Sequence, residues 1–160
     1  MGLLDNIEIQ ESGDSLFMHF QTGDNRFRML DKPTLGYLYW DDKVPVRIKT
    51  ASEAPTGEKP KVVWVCPVWN ENQVRILEIK QSTIQKALKS LEDNAEWGNL
   101  TEYDVIVAKS GDGLETSYVT TPCPKAPLPD NVKPAFKKFM EDYDPDKIFN
   151  GKEQDDELPF

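Results

Sequence analysis

Two cysteines and one histidine are all the thiol and imidazole ligands in this chain of 160 residues. They are too few for a four-ligand zinc site unless carboxylates contribute. No run approaches the roughly 18 apolar residues of a membrane span, and the first residues lack the basic segment and apolar stretch of a secretory signal. Met1-Gly2 opens like a myristoylation signal, but Asn6 stands where that signal needs Ser or Thr. These absences predict a cytoplasmic protein whose Cys66 and Cys123 stay reduced.

Catalytic signatures are equally scarce. No Gly-x-x-x-x-Gly-Lys phosphate cradle occurs, and His19 has no cysteine or serine context resembling a nucleophile motif. Acid pairs such as Asp41-Asp42 and Asp155-Asp156 offer a small metal-dependent nuclease its ligands. The first pair reads better as a solvated turn and the second as tail, so the expectation is a protein without catalysis, cofactor or metal.

What the chain has in abundance is acid, and it is unevenly placed. The formal charge of −9 divides into −5 for residues 1–25, which hold no Lys or Arg, −6 for 141–160, and a remainder of +2 for 26–140. Residues 26–80 alone carry ten Lys and Arg against seven acids. A mildly basic body between two acidic ends is compatible with a groove that follows a phosphate backbone.

The pattern along that body is mostly β. Residues 1–25 show little sustained periodicity and read as an acidic arm. Arg26-Phe27-Arg28-Met29 alternates basic and apolar, residues 36–40 are aromatic, and Val46 and Ile48 alternate with Arg47 and Lys49. After a polar loop over 50–60, two β-rich runs at 61–69 and 73–79 flank a turn at Asn70-Glu71-Asn72. Ser82 is positioned to cap a helix in which Ile84, Ala87, Leu88 and Leu91 recur at helical spacing, and Asp93-Asn94 is its stop. A second hairpin, 103–109 with 114–121, surrounds Ser110-Gly111-Asp112-Gly113. Four prolines between 122 and 129 end the sheet. A short helix follows at 134–142 with Phe136, Phe139 and Met140 as its stripe, and the tail beyond has no evident reason to pack.

Strands, a hairpin, a helix and a second hairpin form the element order of the five-stranded oligonucleotide/oligosaccharide-binding (OB) barrel. The expected fold is therefore mainly β: an OB barrel with extra N-terminal strands, one helix between the hairpins, a short C-terminal helix and a disordered acidic tail. The boundaries are an arm at 1–25, the barrel at 26–130, helix and linker at 131–149, and an acidic tip at 150–160.

Single-strand binding needs π-faces for bases and cations for phosphates. Tyr37, Tyr39, Trp40, Trp64 and Trp69 are interleaved with Arg28, Arg47, Lys49, Lys61 and Arg75 in the first half of the barrel. Period-two alternation sets Tyr37 and Tyr39 on one face of their strand and Leu38 and Trp40 on the other, and separates Trp64 from Trp69. One face of each pair must be core, and the pattern leaves open which. Arg47 and Lys49 are the best phosphate contacts, since the alternating apolar positions direct both outward.

The end of the chain carries the most specific pattern. Asp155-Asp156-Glu157-Leu158-Pro159-Phe160 closely resembles the acidic tip of bacterial single-stranded DNA-binding proteins, with Glu157-Leu158 where that tip usually has Asp-Ile. An apolar terminal ring with acids upstream suits a hydrophobic pocket rimmed by Lys or Arg. Within the body, Arg26-Phe27-Arg28-Met29-Leu30, Gly36-Tyr37-Leu38-Tyr39-Trp40, the run 64–69, Ala95-Glu96-Trp97-Gly98 with Tyr103-Asp104-Val105-Ile106-Val107, and Gly111-Asp112-Gly113-Leu114-Glu115-Thr116-Ser117-Tyr118 resemble successive blocks of tailed-phage single-stranded DNA-binding proteins. The resemblance spans about residues 26–130. It implies a phage-encoded OB-type protein that coats single-stranded DNA in replication, recombination or repair and recruits partners through its tip. The sequence leaves the oligomeric state open, a homo-oligomer or a cooperative array on DNA included. The rival expectation is an OB-type adaptor whose aromatics meet protein or sugar.

Overall fold

The computed structural model describes residues 16–151 of the chain. It is mainly β, a single open mixed sheet of eight strands with two helices. The strands are β1 (Phe17–Met18), β2 (Gly23–Met29), β3 (Thr34–Asp41), β4 (Val44–Ile48), β5 (Lys61–Asn70), β6 (Gln73–Ile79), β7 (Val105–Ser110) and β8 (Ser117–Pro122). Helix α1 (Ser82–Asp93) lies between the β5–β6 and β7–β8 hairpins, and α2 (Val132–Met140) follows the sheet.

Two hairpins turn on adjacent residues with positive φ, Asp42 (50°) with Lys43 (70°) and Glu71 (50°) with Asn72 (63°). This pair of left-handed residues is the tight turn whose twist matches antiparallel strands. Strand β5 is the hub. Its Lys61–Val65 half pairs with β3, Val68 and Trp69 pair with β2, and its other edge pairs with β6. Strand β2 changes partner along its length, pairing over 23–27 with β7 and over 28–29 with β5. Strands β6 and β8 share no ladder, and β1 runs parallel to β6 instead, so the sheet stays open where a closed barrel was expected.

Two cores lie on opposite sides of the sheet. The larger gathers Phe27, Met29, Cys66, Val68, Leu77 and Ile79 beneath Ile84 and Leu88 of α1. That helix has the predicted apolar stripe and ends at Asn94, but its N-cap is Gln81 and not Ser82, without a side-chain cap bond. The second core joins Leu38, Val63, Val65 and Ile76 to Phe17 from the N-terminal side and to Ile148 and Phe149 from the C-terminal side.

This second core corrects two expected boundaries. Phe17 and Met18 belong to the sheet and not to a loose arm, because β1 adds their backbone to β6 and buries both side chains. The chain beyond α2 also packs. Ile148 and Phe149 are buried, and the Gly151 N–H donates to the Arg47 carbonyl at 2.8 Å. Gly36 makes room for this docking, since a Cβ there would lie 2.3 Å from Phe149 Cε1. Residues 1–15 and the tip at 155–160 lie outside the described residues.

Candidate nucleic-acid interface

Strands β3 and β5 bring three of the five predicted aromatics to one face. Directly opposed residues of an antiparallel pair share a side. Leu35 stands opposite Trp64 and Tyr37 opposite Val62, and Tyr39 follows Tyr37 by alternation. The other side of β3, Gly36 and Leu38, is core under Phe149. Tyr37 and Tyr39 lie on the opposite side, half-buried next to the buried Ile48 and Val46 of β4. Leu35 remains 58% exposed and Val62 41%, with Tyr37, Tyr39 and Trp64 half-buried around them.

Two apolar residues of this surface, Leu35 and Val62, lie outside the residues expected from sequence. Only the register could find them, because their membership follows from the partners across the ladder. Next to the face runs a groove of about 560 Å³ whose walls include Pro33, Leu35, Trp64 and Leu100. Lys32 and Lys89 line it, as do Asp31 and Glu92. Both lysines are exposed, and neither was among the expected cations.

The arginines expected here are engaged elsewhere. Arg47 is completely buried, against the outward orientation that alternation predicts, and its Nε donates to Glu78 Oε2 at 2.6 Å. The cause is the docked C-terminal segment, which turns that side of the sheet into core. Arg28 is buried too, donating to Asp104 Oδ1 at 2.8 Å and to the Ala126 carbonyl at 2.7 Å. Neither guanidinium is available to a phosphate. Arg26, 61% exposed, donates to the other oxygen of Asp104, and this bond raises its pKa.

The remaining expected residues are scattered. Lys49 is exposed with Asp146 3.5 Å away, Lys61 is exposed opposite Leu38, and Trp40, next to last in β3, is 42% exposed. Trp69 and Arg75 line a separate groove of about 940 Å³ together with His19, Arg26, Glu71 and Asp104. Arg75 donates to Asn70 Oδ1 at 3.1 Å and stands 3.4 Å from Glu71.

Among the described residues no helix is long and apolar enough to cross a membrane. None of their His, Cys, Asp and Glu side chains form a group of three able to hold a metal ion. Compared with known proteins, the chain matches no family model, no curated protein and no solved structure.

Proposed function

We propose that the chain binds single-stranded DNA on the β3–β5 face, with Tyr37, Tyr39 and Trp64 as stacking surfaces and Lys32 and Lys89 as phosphate contacts, without catalysis. The observation that carries this reading is the row of partly exposed aromatic and apolar side chains, Leu35, Tyr37, Tyr39, Val62 and Trp64, on paired strands. Bases stack on such surfaces irrespective of sequence. The ladder pattern supports the OB relationship: one strand region, β2 with β3, pairs antiparallel to both β7 and β5, and a helix separates the hairpins β5–β6 and β7–β8. In this reading the OB barrel is opened between β6 and β8, with β1 inserted beside β6.

A fluorescence titration with oligo-dT tests the assignment. Trp64 emission quenches as bases stack, and binding is lost in a Tyr37→Ala, Tyr39→Ala double variant that melts like the parent. Saturable binding without quenching and unaffected by the double variant would move the strand to another surface. Absence of any oligonucleotide binding would favour the adaptor reading, in which exposed Leu35 and Val62 meet protein. Recruitment of replication, recombination or repair proteins through residues 155–160 rests on the sequence resemblance alone. Pull-downs from a bacterial lysate with Phe160→Ala and parent baits test it, and identical partner sets would reject it.

A further inference from the structure

The β7–β8 hairpin ends in a turn that holds one leucine out in water. Gly111, at φ 79°, lies so close to the next turn of chain that a Cβ there would be 2.2 Å from the Glu115 carbonyl oxygen. The Glu115 N–H donates to the Asp112 carbonyl at 3.0 Å and the Thr116 N–H to that of Gly113 at 3.2 Å. Below them the hydroxyls of Ser110 and Ser117 meet at 2.9 Å. On this fixed turn Leu114 is fully exposed, at 107%, where the next most exposed large apolar residue reaches 62%. A leucine held this way has no role in the chain's own core.

Charge indicates what the leucine meets. Asp112 and Glu115 flank it, and residues 110–122 contain no Lys or Arg. Two carboxylates beside Leu114 repel a phosphate backbone, so the turn suits a basic protein surface better than a nucleic acid. The described chain has lysines grouped on one helix, with Glu141 and Asp142 directly after it. Helix α2 carries Lys133, Lys137 and Lys138 and no acid. Its Ala135, Lys138 and Phe139 wall an apolar groove of about 670 Å³ whose opposite side includes Trp69 and Ile76, with Asp142 at its edge.

We propose that these are the two halves of one contact between copies of this chain: Leu114 of one molecule enters the α2 groove of the next, and Asp112 and Glu115 meet the α2 lysines. At −9 overall, copies repel each other, and a self-contact is favoured only where opposite signs face each other. The acidic turn and the basic helix supply them. Because knob and groove are different patches of the same molecule, the contact is head-to-tail and leaves a free knob and a free groove at the ends of every assembly. One leucine and a few ion pairs bury far less than the roughly 1,000 Å² of a stable interface, so the association is weak and concentration-dependent. It is independent of the nucleic-acid reading.

Sedimentation velocity of the full chain at low salt, over a concentration series up to its solubility limit, tests it without DNA. The parent's average sedimentation coefficient rises without a plateau. Leu114→Ser, which keeps the groove, stays monomeric, and so does Lys137→Glu with Lys138→Glu, which keeps the knob. All three positions are exposed, so both variants melt with the parent. Mixed in equal amounts, the two variants form pairs and stop there, because the only remaining knob and the only remaining groove are used. A parent that stays monomeric or plateaus at a dimer, a Leu114→Ser chain that assembles like the parent, or a mixture that forms no pairs overturns the proposal.

Discussion

Arg47 and Glu78 meet in a two-point ion pair across the sheet, Nε to Oε2 at 2.6 Å and Nη2 to Oε1 at 3.0 Å, with the Arg47 side chain wholly buried and that of Glu78 11% exposed. Both charges are withdrawn from water under the C-terminal segment. Glu78 in particular is held in this surrounding by the two bonds it accepts from Arg47.

Removing one partner strands the other, which costs about 3–5 kcal/mol for buried pairs. Arg47→Met is expected to lose that much in urea unfolding. Arg47→Met with Glu78→Leu is expected to recover most of it, since an apolar pair needs no compensation. A single variant that loses less than about 1 kcal/mol would mean that the guanidinium reaches solvent.

Gly36 and Phe149 are coupled sterically. Gly36→Ala inserts a methyl where the Phe149 ring lies, and overpacking of this kind costs about 1–3 kcal/mol. Phe149→Ala costs about 3–5 kcal/mol as a cavity. The double variant should lose clearly less than the sum, because the new methyl enters the space that the ring vacates. Strict additivity in denaturant melts would show that the two residues do not touch.

Nucleic-acid binding should depend on the β3–β5 face and not on every aromatic of the first half of the chain. Tyr37→Ala or Tyr39→Ala is expected to weaken oligo-dT binding by about 1–3 kcal/mol. Trp69→Ala, in a different groove, should leave it within about twofold, or roughly 0.4 kcal/mol. Lys32→Ala with Lys89→Ala should make the log affinity against log salt plot shallower by roughly 0.7 per lost contact. An unchanged slope would remove the lysines from the strand's path.

Burial pushes the Cys66 thiol up to about 12 from an ordinary value of 9.0. The folded state thus holds the proton over a pH range in which the unfolded chain has lost it. Its contribution is fully present below pH 9 and declines as pH rises from there towards 12, by at most about 1.4 kcal/mol per pH unit. Cys66→Ala should flatten the fall in stability over that window relative to the parent. Equal slopes in alkaline unfolding series would show that the thiol ionises in the folded state.

The parts legible in the sequence are those decided by near neighbours. Ile84 and Leu88 fix the buried side of α1 by spacing alone, and Asn70-Glu71-Asn72 marks its hairpin by turn chemistry. Burial of Arg47 is of another kind. Alternation distinguishes the two sides of β4, but which side meets water depends on Ile148 and Phe149, about a hundred residues further along. Lys49 shares the parity of Arg47 but follows the last residue of β4 and is exposed, so alternation stops informing where the strand ends. The likeness of Leu35 and Val62 to surface residues is equally invisible, because it arises from the ladder that sets them beside Trp64 and Tyr37. Aromatic composition signals an abundance of stacking surfaces without showing that Trp69 and Trp64 serve different grooves.

Strand β2 bonds first to β7 and then to β5, so seven residues hold both halves of the sheet. Its pairing of Gly23 with Lys109 joins positions separated by most of the described chain. Closing so large a loop loses entropy before its contacts form, which places the molecule among slow-folding topologies, on the scale of milliseconds to seconds. The hairpin β5–β6 with α1 contains only short-range pairings and can assemble earlier. Stability and speed are therefore governed by different residues: a change in β2 slows the final assembly, whereas a change confined to the turn of β5–β6 acts at its start.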